Sequence, residues 1–342
     1  MLTIKSVQAM CDRIIRNTRK FIPLIVDIEL TYQCSNNCVH CFQANVKNDP
    51  DIDKKVLLNT IDKLCEMGTL EFKISGGDPL IREDIFEILE HLSKTNTRVV
   101  LYTSGFFLDD ITCQKIADIG VACVETTLLG PNRQTHDKLA NRPGSFDRIC
   151  NGVRMLKNLG VNQRVKYMHM KQNFKDKSEI SLLSSELGIE ITPSPYLWCK
   201  HGDSESTIDA CKLTDSQLYE HFKIYPQPPI KRSFLSCGAG KFMLSISADG
   251  SIMPCASFTT DYSVGNIYEK PIDVIWNNAI FLSELRKNIR YMVGPCRTCK
   301  TSDFCRLCPA IASWGGKNIR EPYEPMCHYA KVAEKAYRGE SL

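Results

Sequence analysis

Cys34, Cys38 and Cys41 place three thiols within eight residues in a C-x3-C-x2-C spacing. A thiolate is a soft metal ligand. Structural zinc takes four closed ligands, and here the loop offers three. His40 adjoins Cys41 directly and is poorly placed to complete a tetrahedron with it. A [4Fe–4S] cluster is usually held by four Cys thiolates. Built on three, it keeps one iron open to an outside ligand, and an open iron is a reaction centre rather than a staple.

A second set of thiols crowds into the last third of the chain: Cys237, Cys255, Cys296, Cys299, Cys305, Cys308 and Cys327. Their CxxC spacings serve zinc knuckles as well as iron–sulfur clusters. Cys11, Cys65, Cys113, Cys123 and Cys150 stand alone in helix or strand patterns and read as small hydrophobes. Cys199 and Cys211 lie between the two sets.

The chain has 17 cysteines among 342 residues. A secreted disulfide scaffold is short and has an even count. This chain is long, has an odd count and shows no secretory signal, which predicts a cytosolic protein with thiolate ligands. Lys plus Arg is 43 against 39 for Asp plus Glu, a net charge of +4. That balance argues against a nucleic-acid binder working through bulk electrostatics. No apolar stretch approaches the roughly 18 residues of a membrane span, so no membrane partner is expected.

The elements that must position the first thiols alternate between strand and helix patterns. Strands are expected at 25–31, 70–75, 98–103, 121–129, 161–170 and 188–193, with helices at 54–67, 82–93, 111–119, 146–159 and 177–187. Six β/α repeats with short connections predict an α/β fold with a parallel sheet and helices outside, in the manner of an open, partial (β/α)6 TIM-like barrel. Active sites in such folds collect at the C-terminal strand ends. Residues 196–208 read as loop, 214–221 as helix, and the proline-rich stretch 225–229 as linker. Short strands such as 242–247 mark the Cys-rich segment beyond.

The run Tyr32-Gln33-Cys34-Ser35-Asn36-Asn37-Cys38-Val39-His40-Cys41-Phe42 resembles the signature loop of the radical S-adenosylmethionine (SAM) superfamily. Ser75-Gly76-Gly77-Asp78-Pro79 resembles its GGEP motif, with Asp78 for Glu. Thr103-Ser104-Gly105 resembles a TNG strand end, with Ser104 for Asn. Thr126 to Gly130 stands where an SLDG-like segment occurs, with Leu129 for Asp. Thr135-His136-Asp137 through Gly144-Ser145-Phe146 matches a THD…GSF stretch of one branch. The resemblance implies that the open iron chelates SAM and that one electron cleaves it to a 5′-deoxyadenosyl radical, which abstracts a substrate hydrogen. It implies cofactor contacts at Phe42, Gly76, Gly77, Asp78, Ser104, Thr127 and Asn173. The cofactor carries the hard chemistry, and the protein supplies position and exclusion of water.

The seven later cysteines resemble the SPASM extension of that superfamily, a small domain with short strands and two auxiliary [4Fe–4S] clusters. The resemblance implies that Cys296, Cys299, Cys305 and Cys327 hold one cluster and that Cys237, Cys255 and Cys308 hold the other. The second set lacks an obvious fourth ligand; Cys199 or Cys211 reaching in, or a site open to substrate or water, would complete it. Cys199, just past the sixth strand, is the catalytic candidate. It would donate a hydrogen atom to a substrate radical, ligate the cluster, or be inert. Sulfatase-maturing members carry Asp after the second SPASM cysteine; here that residue is Ala256.

These readings divide the chain into an N-terminal helical segment (1–24), the barrel with a bridging region (25–224), a linker (225–232), the auxiliary-cluster domain (233–330) and a C-terminal tail (331–342). The expected cofactors are three [4Fe–4S] clusters and SAM. The expected partners are a precursor peptide or small-molecule substrate and a flavodoxin- or ferredoxin-type one-electron reductant. The expected activity is modification of a ribosomally made peptide by a thioether or carbon–carbon cross-link, or by epimerisation. Only 33 residues precede Cys34, so leader binding would use another surface or a separate protein. The alternatives are a small-molecule dehydrogenase or epimerase, for instance on an amino sugar, and a non-catalytic iron–sulfur or zinc protein.

Overall fold

The computed structural model describes residues 4–41, 51–197, 205–230, 237–288, 296, 298–306, 308–313, 319 and 321–342. The chain begins with α1 (Ile4–Thr18) and then alternates: β1 (Ile25–Glu29), α2 (Lys54–Met67), β2 (Glu71–Ser75), α3 (Ile85–Ser93), β3 (Arg98–Thr103), α4 (Asp110–Ile119), β4 (Cys123–Leu128), α5 (Arg133–Ala140), α6 (Ser145–Asn158), β5 (Gln163–Met168), α7 (Glu179–Leu187) and β6 (Ile191–Ser194). Then follow α8 (Glu205–Cys211), α9 (Asp215–Ile224), β7 (Met243–Ile246), β8 (Ile252–Met253), α10 (Ile272–Asn278), α11 (Ile280–Asn288), α12 (Pro309–Ala312) and α13 (Glu324–Arg338).

The alternation is written locally. Asp53 accepts a hydrogen bond from the Val56 amide at the start of α2, and Gly68 closes that helix in the left-handed conformation. Asp109 and Gly120 do the same for α4, the usual N-cap and C′ chemistry. Val26, Ile28, Phe72, Ile74, Val99 and Leu101 face the helices and form one core with residues of α2, α3 and α4.

The strand order is β6-β5-β4-β3-β2-β1-β7-β8, so β6 and β8 end the sheet. The first six strands are parallel neighbours in sequence order, as the repeats predict. What the sequence did not signal is that β7, from the Cys-rich region, adds to β1 in parallel, pairing Ile25 with Met243 and Ile28 with Ile246. Leu244, Ile246, Ile252, Ile275 and Trp276 consequently belong to the same core as the barrel residues. Trp276 Nε1 donates to the Phe21 carbonyl at 2.9 Å. The Arg286 guanidinium stacks over both rings.

Three stretches differ from expectation. The end of 196–208, expected as loop, already belongs to helix α8 (Glu205–Cys211). Helix α5 was not anticipated: its buried residues are His136, Leu139 and Ala140, so a histidine holds a place where the periodic signal needs an apolar side chain. Most of the expected tail, 331–342, belongs to α13, whose Tyr329, Val332, Ala333 and Ala336 pack with Leu218 and Phe222 of α9. Among the described residues no helix is long and apolar enough to cross a membrane.

Candidate functional site

The loop carrying Cys34, Cys38 and Cys41 leaves the C-terminal end of β1, where an α/β sheet places its ligands. Two segments hold it. The first is the end of β2. The Gly77 amide donates to the Thr31 carbonyl at 2.7 Å, and the Asp78 amide to the Gln33 carbonyl at 2.8 Å. The β1–β2 ladder thus continues up to the first cysteine. A Cβ on Gly76 would lie 2.2 Å from Thr31 O, and one on Gly77 2.2 Å from Gln33 O. Both contacts are with backbone, so glycine is required for the approach.

The second holding segment is the end of α5. The Asn37 and Val39 amides donate to the Ala140 and Leu139 carbonyls, each at 3.0 Å. The loop is therefore gripped between a strand end and a helix end.

Asp78 and Ser104, read separately as departures from a pattern, prove to touch. The Asp78 carboxylate is fully buried. It accepts from the Thr103 hydroxyl at 2.9 Å, the Leu80 amide at 3.1 Å, the Ser104 amide at 3.2 Å and the Ser104 hydroxyl. Burial raises its pKa, and these donors oppose the rise. A buried carboxylate is tolerated when so supplied. The structure therefore spends Asp78 on tying the end of β2 to the end of β3.

Asn173 is likewise a tie. It is fully buried; its Nδ2 donates to the Leu129 and Met168 carbonyls, both at 2.8 Å, and its Oδ1 accepts from the Met170 amide at 2.8 Å. Its donors are used within the protein, joining the loops that follow β4 and β5. Thr127 is half-buried near the end of β4, opposite Lys166 in register. Phe42 and Cys199 lie outside the described residues.

The face of the sheet opposite the helices is charged. Asp27 of β1 stands across from Lys73 of β2 and Ser245 of β7, with Lys73 Nζ 3.6 Å from its carboxylate. Burial raises the Asp27 pKa and Lys73 lowers it. Arg98 pairs with Glu71. Buried Glu125 of β4 faces two cations of β5, Lys166 in contact and Arg164 at 3.7 Å.

The later cysteines gather in groups. Cys237, Cys255 and Cys308 belong to one apolar cluster with Met253, Phe258 and Ala310. Burial pushes the Cys237 thiol up to about 11, with Cys308 the next cause. Cys255 is raised further by burial, then by Cys308 and Cys237. Cys327 is raised by burial, then by Glu324, Cys296 and Cys299. Cys305 packs instead on the cluster of Phe304 and Tyr329. Among the described residues no three His, Cys, Asp or Glu side chains draw together tightly enough for a single metal ion. The donor chemistry of Cys237, Cys255 and Cys308, three thiols in apolar surroundings, suits a cluster.

Cys211 does not join the second set. It is buried with Cys38, Val39 and Leu139, its Sγ 3.9 Å from the Val39 carbonyl. It stands beside the first loop, which removes it as a fourth ligand for Cys237, Cys255 and Cys308.

Among the described residues, buried His136, His169 and His221 give the fold a pH dependence. Burial lowers the His136 and His169 pKa from 6.5 to about 4 and that of His221 to about 3. The Nδ1 atoms of His169 and His221 are 2.8 Å apart. Below pH 6.5 the unfolded chain protonates these rings while the folded chain does not, so stability falls as pH falls from 6.5 toward 4. The loss is on the order of 1 kcal/mol per histidine at about pH 5.5. The guanidinium midpoint of the cluster-loaded protein should drop accordingly between neutral pH and about pH 5.5; an unchanged midpoint would contradict the neutral assignment.

Comparison with known proteins agrees with this geometry. Residues 28–181 match the family model of the radical SAM superfamily, and residues 237–300 match that of SPASM, an iron–sulfur cluster-binding domain. An AdoMet-dependent heme synthase of Methanosarcina barkeri is 28% identical, the alignment covering 90% of this chain and 97% of the relative. The mycofactocin maturase MftC of Mycolicibacterium smegmatis is 24% identical over 89% of this chain and 82% of its own. The crystal structure of Streptococcus suis SuiB bound to S-adenosylmethionine superposes with a TM-score of 0.68 at 17% identity, covering 92% of this chain and 80% of SuiB. That last likeness is one of fold.

Proposed function

The chain is an enzyme of the radical SAM superfamily with a SPASM iron–sulfur domain, and from that premise we propose that it modifies a ribosomally made peptide, by a thioether or carbon–carbon cross-link or by epimerisation. The observation that carries the SAM half of this reading is the paired approach of Gly76 and Gly77 to the backbone leading into Cys34. That approach packs the end of β2 against the entry to the three-cysteine loop, where it would meet a cosubstrate bound at the loop. When bound there, a cluster with SAM on its open iron supplies one-electron cleavage of the sulfonium.

The protein's part is position. Cys34, Cys38 and Cys41 would hold the cluster, the β2 end would receive the cosubstrate, and Asp78 keeps that end against β3. Thr127, near the β4 end, would line the same site. Two further clusters, on Cys237, Cys255 and Cys308 and on Cys296, Cys299, Cys305 and Cys327, would take the second electron of a net oxidation. By sequence the two tasks would fall in 25–224 and 233–330, although β7 of the second joins the sheet of the first. A flavodoxin- or ferredoxin-type donor provides the first electron. Cys199 is the candidate hydrogen-atom donor where the product is an epimer. The peptide reading rests on the maturase relative and is an argument by analogy.

A second reading, a small-molecule substrate, is favoured by the heme synthase relative, which aligns along nearly its whole length. One experiment separates them. The reduced enzyme with SAM is co-expressed anaerobically with candidate peptides encoded beside its gene. Cross-linking lowers peptide mass by two hydrogens. Epimerisation in deuterated water adds one deuterium with no net oxidation. Unchanged masses and stereochemistry, with 5′-deoxyadenosine still formed, would move the assignment to small molecules.

A further inference from the structure

The THD…GSF stretch has no task in the reading so far, yet its side chains meet at the cysteine loop. His136 is fully buried on α5. Its Nδ1 accepts the Leu129 amide at 3.2 Å, which places the proton of the neutral ring on Nε2. Nε2 lies 3.3 Å from the hydroxyl of Ser145, itself fully buried at the start of α6. Asn36, between Cys34 and Cys38, donates its Nδ2 to the same hydroxyl at 3.4 Å.

The rest of the motif fixes this corner. The Asp137 carboxylate accepts the Gly144 amide at 2.7 Å and the Phe146 amide at 2.8 Å. The Thr135 hydroxyl donates to Asp176 at 2.7 Å. Gly130 lets the β4 end pass so near that a Cβ there would stand 2.4 Å from the His136 amide. The end of α5 then holds the loop backbone through Leu139 and Ala140.

We propose that His136 and Ser145 are positioning residues for the cluster: they couple the end of β4 to the three residues between Cys34 and Cys38, and so set which way the open iron faces. This rests on the radical SAM reading above but not on the identity of the substrate. Partners one step removed from a metal tune it by fixing its ligands, typically by 10–100-fold. The individual bonds are long, so the effect is expected to appear in orientation rather than in stability.

The test uses the reconstituted full chain under anaerobic conditions. Iron content, thermal midpoint, SAM affinity and the electron paramagnetic resonance of the reduced cluster with and without SAM are measured for wild type, Ser145→Ala, His136→Leu and His136→Gln. Gln keeps an acceptor for Leu129 and a donor for Ser145. Expected are wild-type iron, SAM affinity weakened about 10-fold or more in Ser145→Ala and His136→Leu, a changed SAM-induced spectral shift, and recovery in His136→Gln. Wild-type affinity and spectra in both disabling variants would overturn the proposal. So would losses of iron and melting temperature that fully account for the weaker binding, since the motif would then merely support the fold. A wild-type chain that binds no SAM would fell the superfamily reading first, whereas a failure to find modified peptides leaves this proposal intact.

Discussion

Cys34→Ala is expected to remove reductive SAM cleavage, with 5′-deoxyadenosine formation falling by more than about 100-fold. Changing a partner of a metal ligand costs roughly 10–100-fold, and losing the ligand itself must cost more. Cys34 follows directly on the segment whose carbonyls at Thr31 and Gln33 receive Gly77 and Asp78. Its backbone thus continues directly from a segment hydrogen-bonded to the end of β2. The other thiol sets lie elsewhere, with Cys237, Cys255 and Cys308 in their own apolar cluster. The variant should therefore keep the remaining iron, about eight of twelve atoms per chain if three four-iron clusters fill. Anaerobic iron analysis together with chromatography of 5′-deoxyadenosine checks both parts. Undiminished cleavage would show that the open iron is not at this loop.

The second large effect is steric. Gly77→Ala sets a methyl group 2.2 Å from the Gln33 carbonyl oxygen, with further backbone contacts at 2.6 Å. Gly76 combines such a clash with φ +147, so a substitution there would mix crowding with backbone strain. Gly77 has no positive φ and isolates the crowding. Overpacking of this kind costs about 1–3 kcal/mol, and the part able to yield is the loop entering Cys34. A displacement near 1 Å at a reacting centre can cost on the order of 100-fold. Gly77→Ala should retain iron at the auxiliary cysteines, lose about 10- to 100-fold in SAM affinity, and lose more in cleavage rate. Normal affinity measured by anaerobic calorimetry would mean that the β2 end does not receive the cosubstrate.

Much of this was legible because the determinants are local. The three-cysteine spacing, the Gly76-Gly77 pair and the helix caps are each written within a few residues, and α2 and β3 fall on their expected spans. What escaped depends on contacts between distant segments. Asp78 and Ser104 look like two substitutions in a line of text, but they form one buried hydrogen-bonded unit. Asn173 reads as a loop polar residue until Leu129 and Met168 are brought beside it. Cys211 looks like a spare ligand for a late cluster, yet helix α8 delivers it to the first loop. The parallel pairing of β7 with β1 joins residues more than two hundred apart, and no short-range periodicity encodes it.

That pairing also bears on how the enzyme can be taken apart. A chain cut after residue 230 would lose β7 and bare the β1 edge, whose row of N–H and C=O groups would recruit strands from other molecules. It would also strip Leu244, Ile246 and Trp276 from the core they share with Val26 and Ile28. The late cysteines are therefore not a detachable accessory: the fragment without them should precipitate on expression rather than survive as a smaller catalyst.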